Sequence, residues 1–180
     1  MKIVPDSSFY ICFLDDINSP QYLMRILDCN HFNFLTGRKI LKEISRSPKY
    51  QSVRDKIKKK VRIFDYATYG EILRPFISLE QIEKGEDEII VISYILNFLG
   101  CNFLVIIDEE DTRKFFDQVF PEIKNRRTGT IGFLKKCCDY GIFSREETIS
   151  ILELIKNSKF RVKKEIIEDA ISQLREESHG

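Results

Sequence analysis

Apolar and polar residues recur along the chain with two different periods, and the switches between them divide it into strands and helices. Lys2-Ile-Val opens as a short strand that stops at Pro5-Asp6, where two serines follow in a favourable helix N-cap setting. Apolar spacing over 8–16 and 20–29 predicts two helices, the second carrying Tyr22, Leu23, Ile26 and Leu27 at helical intervals. Phe32 to Leu35 reads as a strand, and Arg38 onward as a short helix that carries Glu43 and ends before Pro48. A basic stretch over 49–62 leads into a strand at Val61 to Tyr66. The strongest helical pattern runs from Leu79 to Leu99, through Gly85-Glu-Asp-Glu, and Gly100 with Asn102 marks its stop. Phe103-Leu-Val-Ile-Ile is a continuous apolar run that breaks at once into Asp108-Glu-Glu-Asp, as a central parallel strand does when it ends at a polar site. Thr112 to Phe120 returns to the helical period, and Thr128-Gly-Thr-Ile-Gly reads as a tight strand-to-helix turn. Ser144-Arg-Glu-Glu is a capping box opening an amphipathic helix, and a last helix occupies about 163–177.

Strands alternating with helices predict an α/β fold with several parallel strands, and ligands in such sheets collect at the carboxyl ends of the strands, where Asp6 and Asp108 fall. With 180 residues, no internal repeat and no dividing linker, the chain reads as one domain over 1–180, its C-terminal helices from about 144 to 177 forming an extension. Apolar residues at 43% and charged residues at 32% exclude disordered and collagen-like classes. The nineteen uncharged residues from Ile89 to Ile107 are interrupted by Ser93, Asn97, Gly100 and Asn102, so they read as buried helix then buried strand, and no membrane span is expected. No secretory leader is expected at Met1-Lys-Ile-Val-Pro-Asp either, and the five cysteines read as reduced thiols of a cytoplasmic protein. They form no C-x-x-C pair and there are only two histidines, His31 and His179, which excludes a zinc site of ordinary spacing and disfavours a His-centred triad. An active site must therefore be built mainly from carboxylates.

The net charge of +1 hides an uneven distribution: twelve Lys/Arg against six Asp/Glu in residues 1–60, five against twelve in 61–120, and twelve against ten in 121–180. An acidic middle between basic flanks is either a solvated surface or a carboxylate pocket rimmed by phosphate-binding cations. The basic run around Lys56, Lys58, Lys59 and Lys60 is likewise either a solvated helix face or a nucleic-acid contact. Four acids from separate segments, Asp6, Glu43, Glu86 and Asp108, lie at element ends facing one side of the expected sheet. Gathered carboxylates repel, and Mg²⁺ or Mn²⁺ turns that repulsion into binding, whereas acids at helix N-termini are also explained by the helix dipole.

The strings Gly85-Glu-Asp-Glu-Ile-Ile-Val-Ile-Ser, Asn102-Phe-Leu-Val-Ile-Ile-Asp-Glu-Glu-Asp-Thr-Arg-Lys, Thr128-Gly-Thr-Ile-Gly-Phe-Leu and Gly141-Ile-Phe, with Val4-Pro-Asp-Ser-Ser and Leu41-Lys-Glu-Ile before them, resemble the PIN-domain family. The resemblance is to the subgroup with G-E-x-E, I-D-x-x-x-x-R and G-T-x-G-x-L motifs. It implies a PIN-like three-layer α/β/α sandwich with a mainly parallel sheet, and a Mg²⁺- or Mn²⁺-dependent endoribonuclease, often the toxin of a toxin–antitoxin pair. By that resemblance Asp6 matches the first metal-binding acid, Glu43 the second, Glu86 the third with Glu88 able to replace it, and Asp108 the fourth. Glu109 and Asp111 are supporting or substitute ligands, Ser8 stands where the family has a small polar residue, and Arg113 is either a phosphate contact or a helix-surface ion pair. The chain departs from the pattern in Ile89-Ile-Val-Ile after G-E-x-E and in a lysine-rich insertion between Glu43 and Val61.

Two rival readings remain beside the ribonuclease: a catalytically silent PIN-like module that binds RNA or a partner protein, and a DNA-directed nuclease. A receiver domain is disfavoured because one aspartate and two serines replace its paired acids. The expected partners are RNA, an antitoxin protein that covers the acidic pocket, and a second copy of the chain. Phe13, Leu14, Tyr22, Leu23 and Ile26 would supply a homodimer face or, equally, part of the core.

Overall fold

The computed structural model describes residues 1–69 and 84–176, so the start of the helical pattern at Leu79, the last residue of the C-terminal one and His179 lie outside the described residues. Five strands, β1 (Lys2–Pro5), β2 (Asn33–Thr36), β3 (Val61–Ile63), β4 (Phe103–Ile106) and β5 (Arg127–Thr128), form one all-parallel sheet in the order β3-β2-β1-β4-β5. Helices α1 (Ser7–Ile11), α2 (Pro20–Asp28), α3 (Arg38–Ile44), α4 (Tyr50–Lys60), α5 (Gly85–Phe98), α6 (Glu110–Val119), α7 (Thr130–Asp139), α8 (Arg145–Lys156) and α9 (Lys164–Glu176) flank it in a three-layer α/β/α arrangement. The chain winds outward from β1 to β2 and β3 on one side and resumes at β4 and β5 on the other. The order therefore reverses between β1 and β4, and a crevice opens beyond their carboxyl ends. Central position follows from apolarity: every residue of β4 is buried, as are Ile3 and Val4 of β1, whereas edge strand β3 exposes Arg62 and Ile63.

Helix boundaries follow local chemistry. The expected helix over 8–16 is α1 followed by a π-helical turn at Cys12–Asp16, closed by the Ile17 N–H donating to the Cys12 carbonyl at 2.9 Å. Pro20 opens α2 from the position where a missing N–H costs least. Gly100, at φ +64°, ends α5 with the Cys101 N–H bonded to the Leu96 carbonyl, which is the turn expected between helix and strand. Ser144 and Glu147 cap α8 reciprocally, and Arg25 reaches across from α2 to the same glutamate at 2.6 Å.

Phe9 of α1 sits at the core's centre with no exposed surface, its ring 5.3 Å from Phe13, 6.3 Å from Phe34 and 5.7 Å from Phe133. The C-terminal helices share this core through Ile151, Leu152, Ile155, Ile167, Ile171 and Leu174, so they are continuous with the sheet's own packing. Phe13, Leu14, Leu23 and Ile26 are fully buried in it and Tyr22 packs edge-on against Phe143. Of the two readings offered for these positions, the structure bears out the core for Phe13, Leu14, Leu23 and Ile26, with Tyr22 half-buried beside them. The basic run lies on α4, whose Tyr50, Val53 and Ile57 are buried while Lys56 and Lys60 bind Asp28 at 2.7 and 3.4 Å.

Phe9→Ala should cost about 3–5 kcal/mol of unfolding free energy, since the surrounding rings are held by separate elements and cannot close the cavity. Urea denaturation measures it, and a loss below about 1 kcal/mol would mean that the core is not centred there.

Candidate functional site

In a parallel sheet each helix that follows a strand begins at that strand's carboxyl end, with orphan N–H groups facing the crevice. Acidic side chains occupy those N-termini. Asp6 is the N-cap of α1, its Oδ1 accepting from the Phe9 N–H at 2.9 Å, and its Oδ2 accepts from the Asp108 N–H at 3.0 Å. One carboxylate thus ties the end of β1 to the end of β4. Asp108 in turn accepts from the Thr130 N–H at 2.8 Å and the Thr130 hydroxyl at 2.5 Å, at the start of α7. Glu43 on α3 accepts from the Gly85 N–H at the start of α5 (3.1 Å), and Glu88 on α5 accepts from the Ile40 N–H in the first turn of α3 (2.9 Å). Those two helices cap each other.

Close approach at these ends requires missing side chains. A Cβ on Gly37 would stand 2.1 Å from the Glu88 carboxylate, and one on Gly129 would stand 2.5 Å from Arg113 Nη2 and 2.9 Å from Asp108 Oδ1. Glu88 is fully buried and also accepts from the Tyr66 hydroxyl at 2.8 Å, so its oxygens are committed to α3 and Tyr66.

The expected acids therefore fall into three groups. Asp6 and Asp108 meet in the crevice, Glu43 and Glu88 serve the α3–α5 crossing, and Glu86 shares a hydrogen bond with Glu109 at the exposed edge. Among the described residues no group of three or more His, Cys, Asp and Glu side chains is gathered to hold a metal. Ser8, Glu109 and Arg113 line a cavity of about 750 Å³ together with Asp108. Asp111 is exposed and lies 3.9 Å from Lys114. Arg113 donates from Nε to the Ile107 carbonyl at 2.6 Å and holds Nη2 3.7 Å from Asp108. Arg126 and Arg127 serve structure, the first on the Cys101 carbonyl and the Phe103 ring, the second on Asp117.

Burial, and then the charge of Asp108, push the Asp6 carboxyl up to about 7 against the pull of its two backbone N–H partners. Burial raises Asp108 as well, against Thr130 and Arg113. Glu86 is pushed up to about 7, first by the hydrogen bond with Glu109 and then by burial. Two buried, mutually repelling carboxylates with one lone-pair direction left on each oxygen are hard donors of the kind a divalent ion takes, and Mg²⁺ typically uses one or two such groups and completes its shell with water and substrate phosphate. Asp6 and Asp108 are the residues that would hold such an ion.

Sequence reasoning missed Thr130, Asp16 and the cationic connector at 159–163, which line or complete this crevice. The first was visible as a hydroxyl in the strand-to-helix turn, the last as the alternation of cations and apolar residues in Lys159-Phe-Arg-Val-Lys. No protein-family model, no curated protein and no solved structure matches the chain. No helix among the described residues is long and apolar enough to cross a membrane; the uncharged span from Ile89 is divided between α5 and β4.

Between pH 3.8 and about 7 the folded chain keeps a proton on Asp6 that the unfolded chain has released, so this group makes the fold less stable as pH rises through that window, and the loss is complete above it. Asp108→Asn keeps both contacts, because its amide can donate to the Thr130 hydroxyl while its oxygen still accepts from the Thr130 N–H. The variant removes the second of the two raising causes and leaves burial, so it should reduce this pH dependence in part and be more stable than wild type at pH 8 by about 1 kcal/mol. Urea denaturation at pH 5 and pH 8 checks both, and an unchanged slope would show that Asp6 does not feel Asp108.

Proposed function

We propose that this chain is a divalent-metal-dependent phosphodiester hydrolase acting on RNA, a PIN-like endoribonuclease. The observation that carries the reading is the buried pair of Asp6 and Asp108, joined across the strand-order reversal beside a cavity with cationic walls. The motif resemblance supports the same residues. Asp6 and Asp108 would hold Mg²⁺ or Mn²⁺, which when bound activates water and neutralises charge developing on a phosphodiester. Thr130 fixes the orientation of Asp108 through two hydrogen bonds. Arg113, anchored on the Ile107 carbonyl, offers its guanidinium to a phosphate oxygen while remaining close to Asp108. A toxin role is part of this proposal, with an antitoxin partner that inserts a basic side chain among the carboxylates.

The silent binding module is favoured by a different observation, the commitment of Glu43 and Glu88 to helix ends, which takes both away from Asp6 and Asp108. Calorimetry with Mn²⁺ separates the two. Saturable binding in wild type that is lost in Asp108→Asn, together with an RNA cleavage rate reduced on the order of 100-fold or more, is the expected result. A variant that cuts as fast as wild type would sink the site assignment, and a folded wild type that takes up no Mn²⁺ even with RNA present would establish the silent module. Competition between RNA and DNA oligonucleotides decides the nucleic acid.

A further inference from the structure

The connector between α8 and α9 supplies part of the wall of the cavity that holds Asp108. Its residues alternate as Lys159, Phe160, Arg161, Val162, Lys163, and burial follows the alternation: the three cations are exposed, while Phe160 and Val162 are half-buried against the core. Phe160 and Val162 pack against the core and leave the three cations exposed at the cavity wall. None of the three forms an ion pair with a described residue, in contrast to Lys56, Lys60 and Arg127 on the rest of the surface. The acids of the cavity come from elsewhere, Asp16 from the π-helical turn and Asp108, Glu109 and Glu110 from the end of β4 and the start of α6. Negative charge on one set of elements faces positive charge on the connector, where Lys159 acts on Asp16 and Lys163 on Glu110 without forming an ion pair, and such a wall suits a strand whose phosphates lie along the cations.

We propose that the 157–163 connector is the strand-binding wall of the site, taking successive phosphates of single-stranded RNA on Lys159, Arg161 and Lys163 with a base against the Phe160 ring. The inference rests on the reading of Asp6 and Asp108 as a phosphodiester site and names how the substrate reaches them. A single strand is the fitting partner because its bases are free to meet an aromatic ring, whereas a duplex keeps them stacked inside. The lysine-rich helix α4 has the denser run of positive charge, yet none of its residues lines the cavity, and Lys56 and Lys60 are held by Asp28.

The test is fluorescence anisotropy of a labelled oligouridylate on the full chain, in EDTA so that binding is read without cleavage, over a series of salt concentrations. The combined substitution of Lys159→Gln, Arg161→Gln and Lys163→Gln should weaken binding about tenfold or more and lower the slope of log Kd against log salt by about 2, as expected for three phosphate contacts on a single strand. Lys58→Gln with Lys59→Gln on α4 should change neither. Phe160→Leu should weaken binding severalfold and leave the salt slope as it was. The proposal is overturned if wild type does not bind the strand, if the triple variant binds as wild type does, if the loss follows the α4 lysines, or if a duplex binds as tightly. Mn²⁺ calorimetry on the same proteins keeps the two readings apart. Connector-dependent RNA binding without Mn²⁺ uptake would reject the metal reading and uphold the connector, and Mn²⁺ uptake without RNA binding would do the reverse.

Discussion

The orphan N–H groups at the starts of helices, gathered by a parallel sheet along one edge, are the constraint on which this structure depends. An end left unpaired in a buried crevice would cost the desolvation of its N–H groups. The chain meets that cost with carboxylates: Asp6 at α1, Glu88 at α3, Glu43 at α5 and Asp108 at α7. Three of these reach a helix far from them in sequence, so each bond also fixes the relation of two elements. Asp6 does the most, since its second oxygen binds the backbone at the end of β4 and sets the separation of the two central strand ends.

The same arrangement makes concentrated negative charge tolerable. Partial positive charge at each helix start offsets part of the repulsion between neighbouring acids. The offset is incomplete at Asp6, which burial and then the charge of Asp108 raise, while burial raises Asp108. Structural capping and cation binding are therefore compatible uses of one set of atoms. A carboxylate oxygen that accepts one N–H keeps a second lone pair, and the cap aims it.

Much of the fold was legible because the strands announce themselves by what stops them. Ile3-Val4 halts at Pro5-Asp6, the apolar run from Phe103 halts at Asp108, and both breaks mark true strand ends. The π-helical turn at Cys12–Asp16 was not legible, since a single widened turn leaves the apolar spacing of 8–16 nearly unchanged. Asp6 and Asp108 were placed at strand ends from position alone, and the structure joins them there. Glu43 was read as a metal-binding acid and Glu88 as a substitute for Glu86, whereas both accept from helix-end N–H groups, because periodicity cannot tell which helix end a long side chain will cross to. Thr130 and the 159–163 connector escaped because a hydroxyl in a turn and three cations among many acquire meaning only when folding brings them beside Asp108.

Gly37 and Gly129 give this architecture a signature in inheritance. Each leaves open the space that a carboxylate from a distant segment fills, Glu88 in the first case and Asp108 in the second. A methyl group at Gly37 takes the place of the Glu88 oxygens, so that glycine and its acid form one unit of selection although they lie on different elements, while one at Gly129 meets the Arg113 guanidinium first and Asp108 next. Among descendants of this chain, drift at Gly37 is expected to be accompanied by a shorter residue at 88. At Gly141, where the added carbon meets nothing within 4 Å, change is limited by backbone conformation alone and carries no distant partner with it.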